Sequence, residues 1–139
     1  MYDSDGKLLS GIRGRIGAAS ISMYGANIGA DLIEMQPETA FPLHVHDVDH
    51  VLYIESGTGA VHIDGKDRNV KKGDTIFIAG EYPHGVVGPR KGAKHPLIIV
   101  AFGHPRIPVD SHKRMRHPTK EQIETHEHHR SHDKGHQHH

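Results

Sequence analysis

The chain contains no cysteine and no tryptophan among its 139 residues. Without cysteine there is no disulfide framework, no thiolate metal site and no cysteine nucleophile, so any metal must sit on nitrogen and oxygen. An excess of charge of one sign is missing too. Lys plus Arg and Asp plus Glu both number 17, which leaves no strong field to recruit nucleic acid or an acidic membrane surface at neutral pH. No stretch approaches the roughly 18 apolar residues of a membrane span, and no charged start followed by an apolar run resembles a signal peptide. The expectation is a soluble cytoplasmic protein with neither nucleic acid nor membrane as partner. Aromatics are scarce, with three Phe and four Tyr, and only 35% of residues are hydrophobic. The core must be economical, although one domain of this length can bury a core without cross-links.

What is present points to strands and to histidine. Sixteen Gly and eight Pro indicate many turns and favour short strands over long helices. From Ile12 to Val109 the apolar segments "IGADLIEM" (28–35), "HVLYIE" (50–55), "AVHID" (60–64), "DTIFIA" (74–79), "GVV" (85–87) and "LIIVAF" (97–102) are strand candidates. "SGTG", "DGKD" and "KKGD" between them supply turn residues, and Asp64-Gly65 is a tight-turn signal. Strands this close, with no helical period between them, imply an all-β chain with antiparallel pairing in a sandwich or barrel. The expected organisation is an N-terminal arm (1–11), one β domain (12–109) and a His-rich, largely irregular tail (110–139).

That tail carries nine of the sixteen histidines after position 110, with Met115 and Ile123 as its only aliphatic side chains of any size. It cannot bury enough apolar surface to offset its ordering entropy, so mobility is expected unless a metal or a neighbouring subunit holds it. Thr119 with Gln122 three residues on forms a capping-box pattern for a short helix. "HEHHRSHDKGHQHH" reads as a metal-gathering segment, as a solvated polar end, or in part as a purification sequence, whose uninterrupted histidines it lacks.

Within the domain, "FPLHVHDVDHVLYIESG" (41–57) packs His44, His46 and His50 into seven positions. Residues two apart on a strand face the same side, so His44 and His46 present their imidazoles together, and His50 keeps the same parity. His84 follows the turn "AGEYP", where a hairpin return can bring it over the same face. A single histidine on a sheet is usually a surface or hydrogen-bonded residue, and this is the reading for His62, His95 and His104. Two uncompensated imidazoles side by side on a core face are costly without a shared ligand, which favours metal for His44 and His46.

These residues resemble the cupin superfamily, whose first motif is G-x5-H-x-H-x3,4-E-x6-G and whose second is G-x5-P-x-G-x2-H-x3-N. His44 and His46 fall on the H-x-H pair, His50 falls where the family has glutamate, and Gly57 closes the first motif; Gly73 opens the second, and His84 lands on its histidine. Glu38 stands at the opening glycine, Ala79 and Glu81 replace the proline and glycine, and Gly88 replaces the asparagine. The resemblance implies a double-stranded β-helix, or jelly-roll barrel, with one divalent transition metal held by His44, His46, His50 and His84. It also suggests a homodimer, with "LIIVAF" either a central strand or one that pairs across the interface.

Four imidazoles offset none of a metal's positive charge, so open coordination positions should attract an anionic or chelating small-molecule substrate. Imidazole suits Fe, Ni, Cu and Zn, and the resemblance keeps Mn in play. Dioxygenase-like chemistry on an anionic or enolisable molecule is the leading expectation. The alternatives are a non-redox isomerase, cyclase or lyase using the metal as Lewis acid, and a non-catalytic metal-handling or ligand-sensing protein. Asp47, Asp49 and Tyr53 are candidate acid or base groups near the mouth, although both aspartates can equally be solvated turn residues that orient the histidines. Phe41, Leu52, Ile76, Ile78, Val86 and Phe102 are candidate lining residues, or plain core.

Overall fold

A computed structural model describes residues 1–17, 28–104 and 114–123. The strands are β1 (Ile12–Ile16), β2 (Gly29–Met35), β3 (Ala40–His44), β4 (Asp49–Ser56), β5 (Thr58–Ile63), β6 (Lys66–Lys71), β7 (Thr75–Ile78), β8 (His84–Val87) and β9 (Leu97–His104). They form a five-stranded sheet in the order β1-β2-β9-β4-β7 and a four-stranded sheet in the order β3-β8-β5-β6, with every pairing antiparallel. Apart from the β1–β2 and β5–β6 hairpins, each strand is followed by one in the opposite sheet, which is the jelly-roll arrangement expected from the sequence.

The six apolar segments become β2, β4, β5, β7, β8 and β9. The other three strands lie at sheet edges and lack an uninterrupted apolar pattern. β6 (KDRNVK) buries only Val70 of its six residues, and β1 (IRGRI) interleaves two arginines; both are polar edges of the kind that resist edge-to-edge pairing. β3 (AFPLH) contains Pro42, which a strand tolerates at an edge. Asp64 and Gly65 both have positive φ, 55° and 72°, and close the β5–β6 hairpin between paired Ile63 and Lys66 as a two-residue turn of the primed type.

The core lies between the sheets. Alternate residues of β2, β4 and β9 turn inward, among them Met35, Ile54, Leu97 and Ile99, each at most 1% exposed. They meet Val61 and Val86 of the smaller sheet. Gly57 turns the chain from β4 into β5 at φ 81°, and a Cβ there would lie 2.2 Å from the Pro96 carbonyl oxygen, so both conformation and space require glycine.

The C-terminal segment adds to this core in a way its composition does not suggest. Val45 and Arg116 exchange backbone hydrogen bonds of 2.9 and 2.8 Å, and Arg114 and Met115 are buried against the barrel, as is Met1. The Thr119 amide donates to Gln122 Oε1 at 2.8 Å and the Gln122 amide to Thr119 Oγ1 at 3.2 Å, the reciprocal pair of a capping box, at the head of one helical turn (120–123). The histidine run from 126 onward lies outside the described residues. Among the described residues no helix is long and apolar enough to cross a membrane.

Candidate metal centre

His44 ends β3, His84 opens β8 opposite it, and His50 is the second residue of β4. His46 sits beyond β3, where the Val45–Arg116 pairing and a 2.8 Å hydrogen bond from the Glu81 amide to the His46 carbonyl fix the backbone. Simple alternation fails here, because Val45 is as buried as the histidines flanking it. The loop turns both imidazoles inward all the same.

All four rings are buried, at 3 to 4% exposure. Ring centroids lie 4.3 Å apart for His44 and His84, 4.7 Å for His46 and His84, and 4.2 Å for His46 and His50. One nitrogen from each of His44, His46 and His84 falls within a 4.8 Å cluster; His50 adjoins that trio through His46.

The hydrogen bonds fix which nitrogen is available. Nδ1–H of His44 donates to the Pro42 carbonyl (2.7 Å), that of His46 to Val48 (3.0 Å) and that of His84 to Tyr82 (2.9 Å). A neutral imidazole that donates through Nδ1 has a bare lone pair on Nε2. The Nε2 atoms of His46 and His84 face each other at 3.1 Å, two acceptors with no proton between them. Two nitrogens that share a metal at about 2.0 to 2.1 Å lie roughly 2.9 to 3.4 Å apart. The donor set therefore fits a first-row divalent ion, with backbone carbonyls as the outer partners that orient ligating imidazoles.

Electrostatics keeps the rings neutral. Burial pushes His46 down to about 2, His50 to about 3 and His84 to about 4, and holds His44 well below the ordinary histidine value. Neighbouring imidazoles and the Arg114 charge push most of them the same way. Four unprotonated donors are thus in place without competition from protons at neutral pH.

The cavity at this cluster has a volume of about 20 Å³, room for roughly one water. Phe41, Leu52 and Val86 line it as the sequence suggests, while Ile33, Ile99, Met1, Arg114 and Met115 complete the wall. Ile78 is plain core, Ile76 packs against that core, and Phe102 faces outward, 42% exposed.

Asp49 and Tyr53 are not brought to the cavity. Both have the opposite parity to His50 and Leu52 on β4, so they point away from the barrel interior. Tyr53 is 38% exposed on the outer sheet face. Asp49 accepts the Gly80 amide at 2.7 Å and so ties β4 to the turn that leads to His84. Asp47 is likewise a turn residue, bonded to Arg116; the Glu81 contact and then the hydrogen bond from Arg116 hold its carboxyl low.

Two buried charges escape a reading of the sequence. Asp31 is 3% exposed on β2 and Arg114 5%, with Arg114 Nη1 3.9 Å from Asp31 Oδ2. Asp31 has a sequence signal, since it shares inward parity with Ile33 and Met35 in "GADLIEM" and a carboxylate there needs a buried partner. Arg114 has none, lying in a segment without periodicity.

A jelly-roll barrel with three or more imidazoles converging inside it defines a class, and comparison gives the family. The Cupin_2 family model, described as a cupin domain, matches residues 31–100; the chain belongs to this family. Solved structures similar to it include KdgF from Halomonas sp., with 22% identity over 73% of this chain and 84% of that one and a TM-score of 0.60. The polyketide cyclase RemF from Streptomyces resistomycificus is 18% identical over 94% of this chain and 86% of its own, TM-score 0.62. A cupin 2 domain-containing protein from Halorhodospira halophila is 19% identical over 84% and 77%, TM-score 0.63. No curated protein matches the chain by sequence.

Proposed function

We propose that this protein is a mononuclear metal-binding cupin that acts as a small metalloenzyme, dioxygenase-like, on an anionic or enolisable small molecule. The observation that carries the metal reading is the set of Nε2 lone pairs, each left bare by an Nδ1–H bond to a backbone carbonyl and crowded together in a buried space. His44, His46 and His84 would hold the ion with His50 as fourth ligand, and Fe, Mn, Ni, Cu and Zn all remain compatible with such a donor set. A bound ion supplies Lewis acidity and, if redox-active, a route to dioxygen.

The residues around it orient and exclude water. Phe41, Leu52, Val86 and Ile99 give an apolar wall, which strengthens any charge interaction inside. Among the described residues the lining offers no carboxylate, lysine or tyrosine. That favours chemistry activated at the metal over proton shuttling by the protein, and so favours the oxygenase reading over an isomerase, cyclase or lyase. The small volume of the cavity supports a second reading, a metal-handling or ligand-sensing cupin without turnover.

The first test is metal content by mass spectrometry on protein purified without a nickel column, as the full chain and as a form ending at Ile123. About one equivalent is expected in both, and its loss in His84→Ala. Equal metal in His84→Ala and the parent would sink the barrel site. With iron, copper, nickel or manganese found, oxygen consumption with diketones and catechols separates the enzyme from the non-catalytic reading, whereas zinc points to Lewis-acid chemistry.

A further inference from the structure

The C-terminal segment carries a permanent charge into the wall of a cavity whose other lining side chains are neutral. Arg114 is 5% exposed and lines the space beside the four imidazoles. A guanidinium stays protonated at any pH the fold experiences, and burying one carries a large desolvation penalty. Asp31 balances it, with Arg114 Nη1 3.9 Å from Asp31 Oδ2. Asp31 Oδ1 also accepts the Gly17 amide at 3.1 Å. With Asp31 and Arg114 cancelling, a divalent ion on four neutral imidazoles leaves the site with its full excess of two positive charges.

We propose that Arg114 is the anion-recognition residue of this site, and that the ligand is a small carboxylate held between the Arg114 guanidinium and the histidine-bound metal. The inference rests on the metal reading above and names the chemical class of its ligand. A planar guanidinium matches a carboxylate with two parallel hydrogen bonds, a match that lysine does not reproduce.

Size adds a consequence. A cavity of about 20 Å³ holds roughly one water, so a carboxylate enters only if part of the wall withdraws. The part that can is the segment bearing Arg114 itself. It is tied down by the Val45–Arg116 backbone pair, by Arg116 to Asp47 and Glu81, and by Gln122 to Glu81 at 2.6 Å. These side-chain links are exposed and polar, the kind that open at less cost than a packed core. The anchor and the gate are thus one element.

The experiment is calorimetric titration of formate and acetate into metal-loaded full-length protein, with metal content recorded beforehand. Arg114→Met alone leaves Asp31 buried without its cation, so the informative variant is the charge-balanced pair Asp31→Asn with Arg114→Met, alongside Arg114→Lys. We expect the pair to keep its metal and its circular dichroism spectrum while acetate affinity falls about 10- to 100-fold, with Arg114→Lys in between. Unchanged acetate affinity in the folded, metal-loaded pair would make Arg114 purely structural and overturn the proposal, as would absence of formate and acetate binding to the parent. A barrel that takes up no metal overturns the underlying reading and is seen before any anion is added. Arg114-dependent acetate binding to that metal-free chain would still support the anion site, and its absence would overturn it.

Discussion

The four buried imidazoles make the metal-free protein acid-sensitive. An unfolded histidine titrates near pH 6.5, whereas burial depresses His84 to about 4, His50 to about 3 and His46 to about 2, with His44 also lowered. Above pH 6.5 both states are neutral and stability is independent of these groups. Below it the unfolded chain takes up protons that the native state refuses, so stability falls until pH reaches the native values. Each imidazole that stays neutral costs about 1.4 kcal/mol per pH unit, and four steepen this to about 5 kcal/mol per unit. Set against a typical stability of about 5 to 15 kcal/mol, chelated protein should lose its fold between about pH 5.5 and pH 4. Thermal melts at pH 7.5, 6 and 5 measure this, and a flat melting temperature would contradict it. A second prediction at this scale concerns Glu38 and Glu81, which occupy family glycine positions yet keep positive φ, 64° and 65°. Glu38→Gly should stabilise by about 0.5 to 1 kcal/mol in urea titration, since the strain it relieves exceeds the entropy glycine adds. Glu81→Gly should not, because the Glu81 carboxylate also holds Arg116 and Gln122.

At the scale of elements, the segment 114–123 behaves as a strap across the loops that carry the histidines. Arg116 joins Asp47, next to His46, to Glu81, three residues before His84. Arg116→Ala should leave the barrel intact but raise amide exchange at Val45, whose N–H donates to the Arg116 carbonyl, by about tenfold, equivalent to ~1.4 kcal/mol of local stability. Exchange that does not change would show that backbone pairing alone holds the strap. The adjoining His117–Asp5 contact, 2.7 Å between exposed groups, is expected to contribute little.

For the whole molecule, the outer face of the five-stranded sheet is the feature that sequence alternation does not explain. Antiparallel sheets with one solvated face usually carry polar residues there, but this one presents Tyr53, Phe77 and Phe102, 38%, 63% and 42% exposed. Val51 pairs with both Phe77 and Phe102, and Tyr53 with Val100, so the patch is continuous. The homodimer expected from the sequence predicts that a second copy packs on this face. Light scattering should give twice the chain mass for the parent and the monomer mass for Phe77→Asp; a monomeric parent would rule this out.

The sequence by itself determined the β-rich barrel, since alternation in β2, β4 and β9 and the Asp64-Gly65 turn are local properties that the chain carries wherever it folds. The spacing of His44, His46, His50 and His84 was equally legible, because motif spacing and strand parity follow from the covalent chain. Edge strands β1, β3 and β6 were not: β1 and β6 are too polar to carry an apolar period, and Pro42 interrupts β3. Tertiary structure alone decided that Asp49 and Tyr53 face away from the cavity, because the side of β4 that becomes interior depends on which sheet face meets the other. It alone decided that Met1, Arg114 and Met115 line the pocket beside the four histidines. Nothing local requires a polar segment to enter a core, and only the pairing of Arg116 with Val45, 71 residues away in the chain, brings it there.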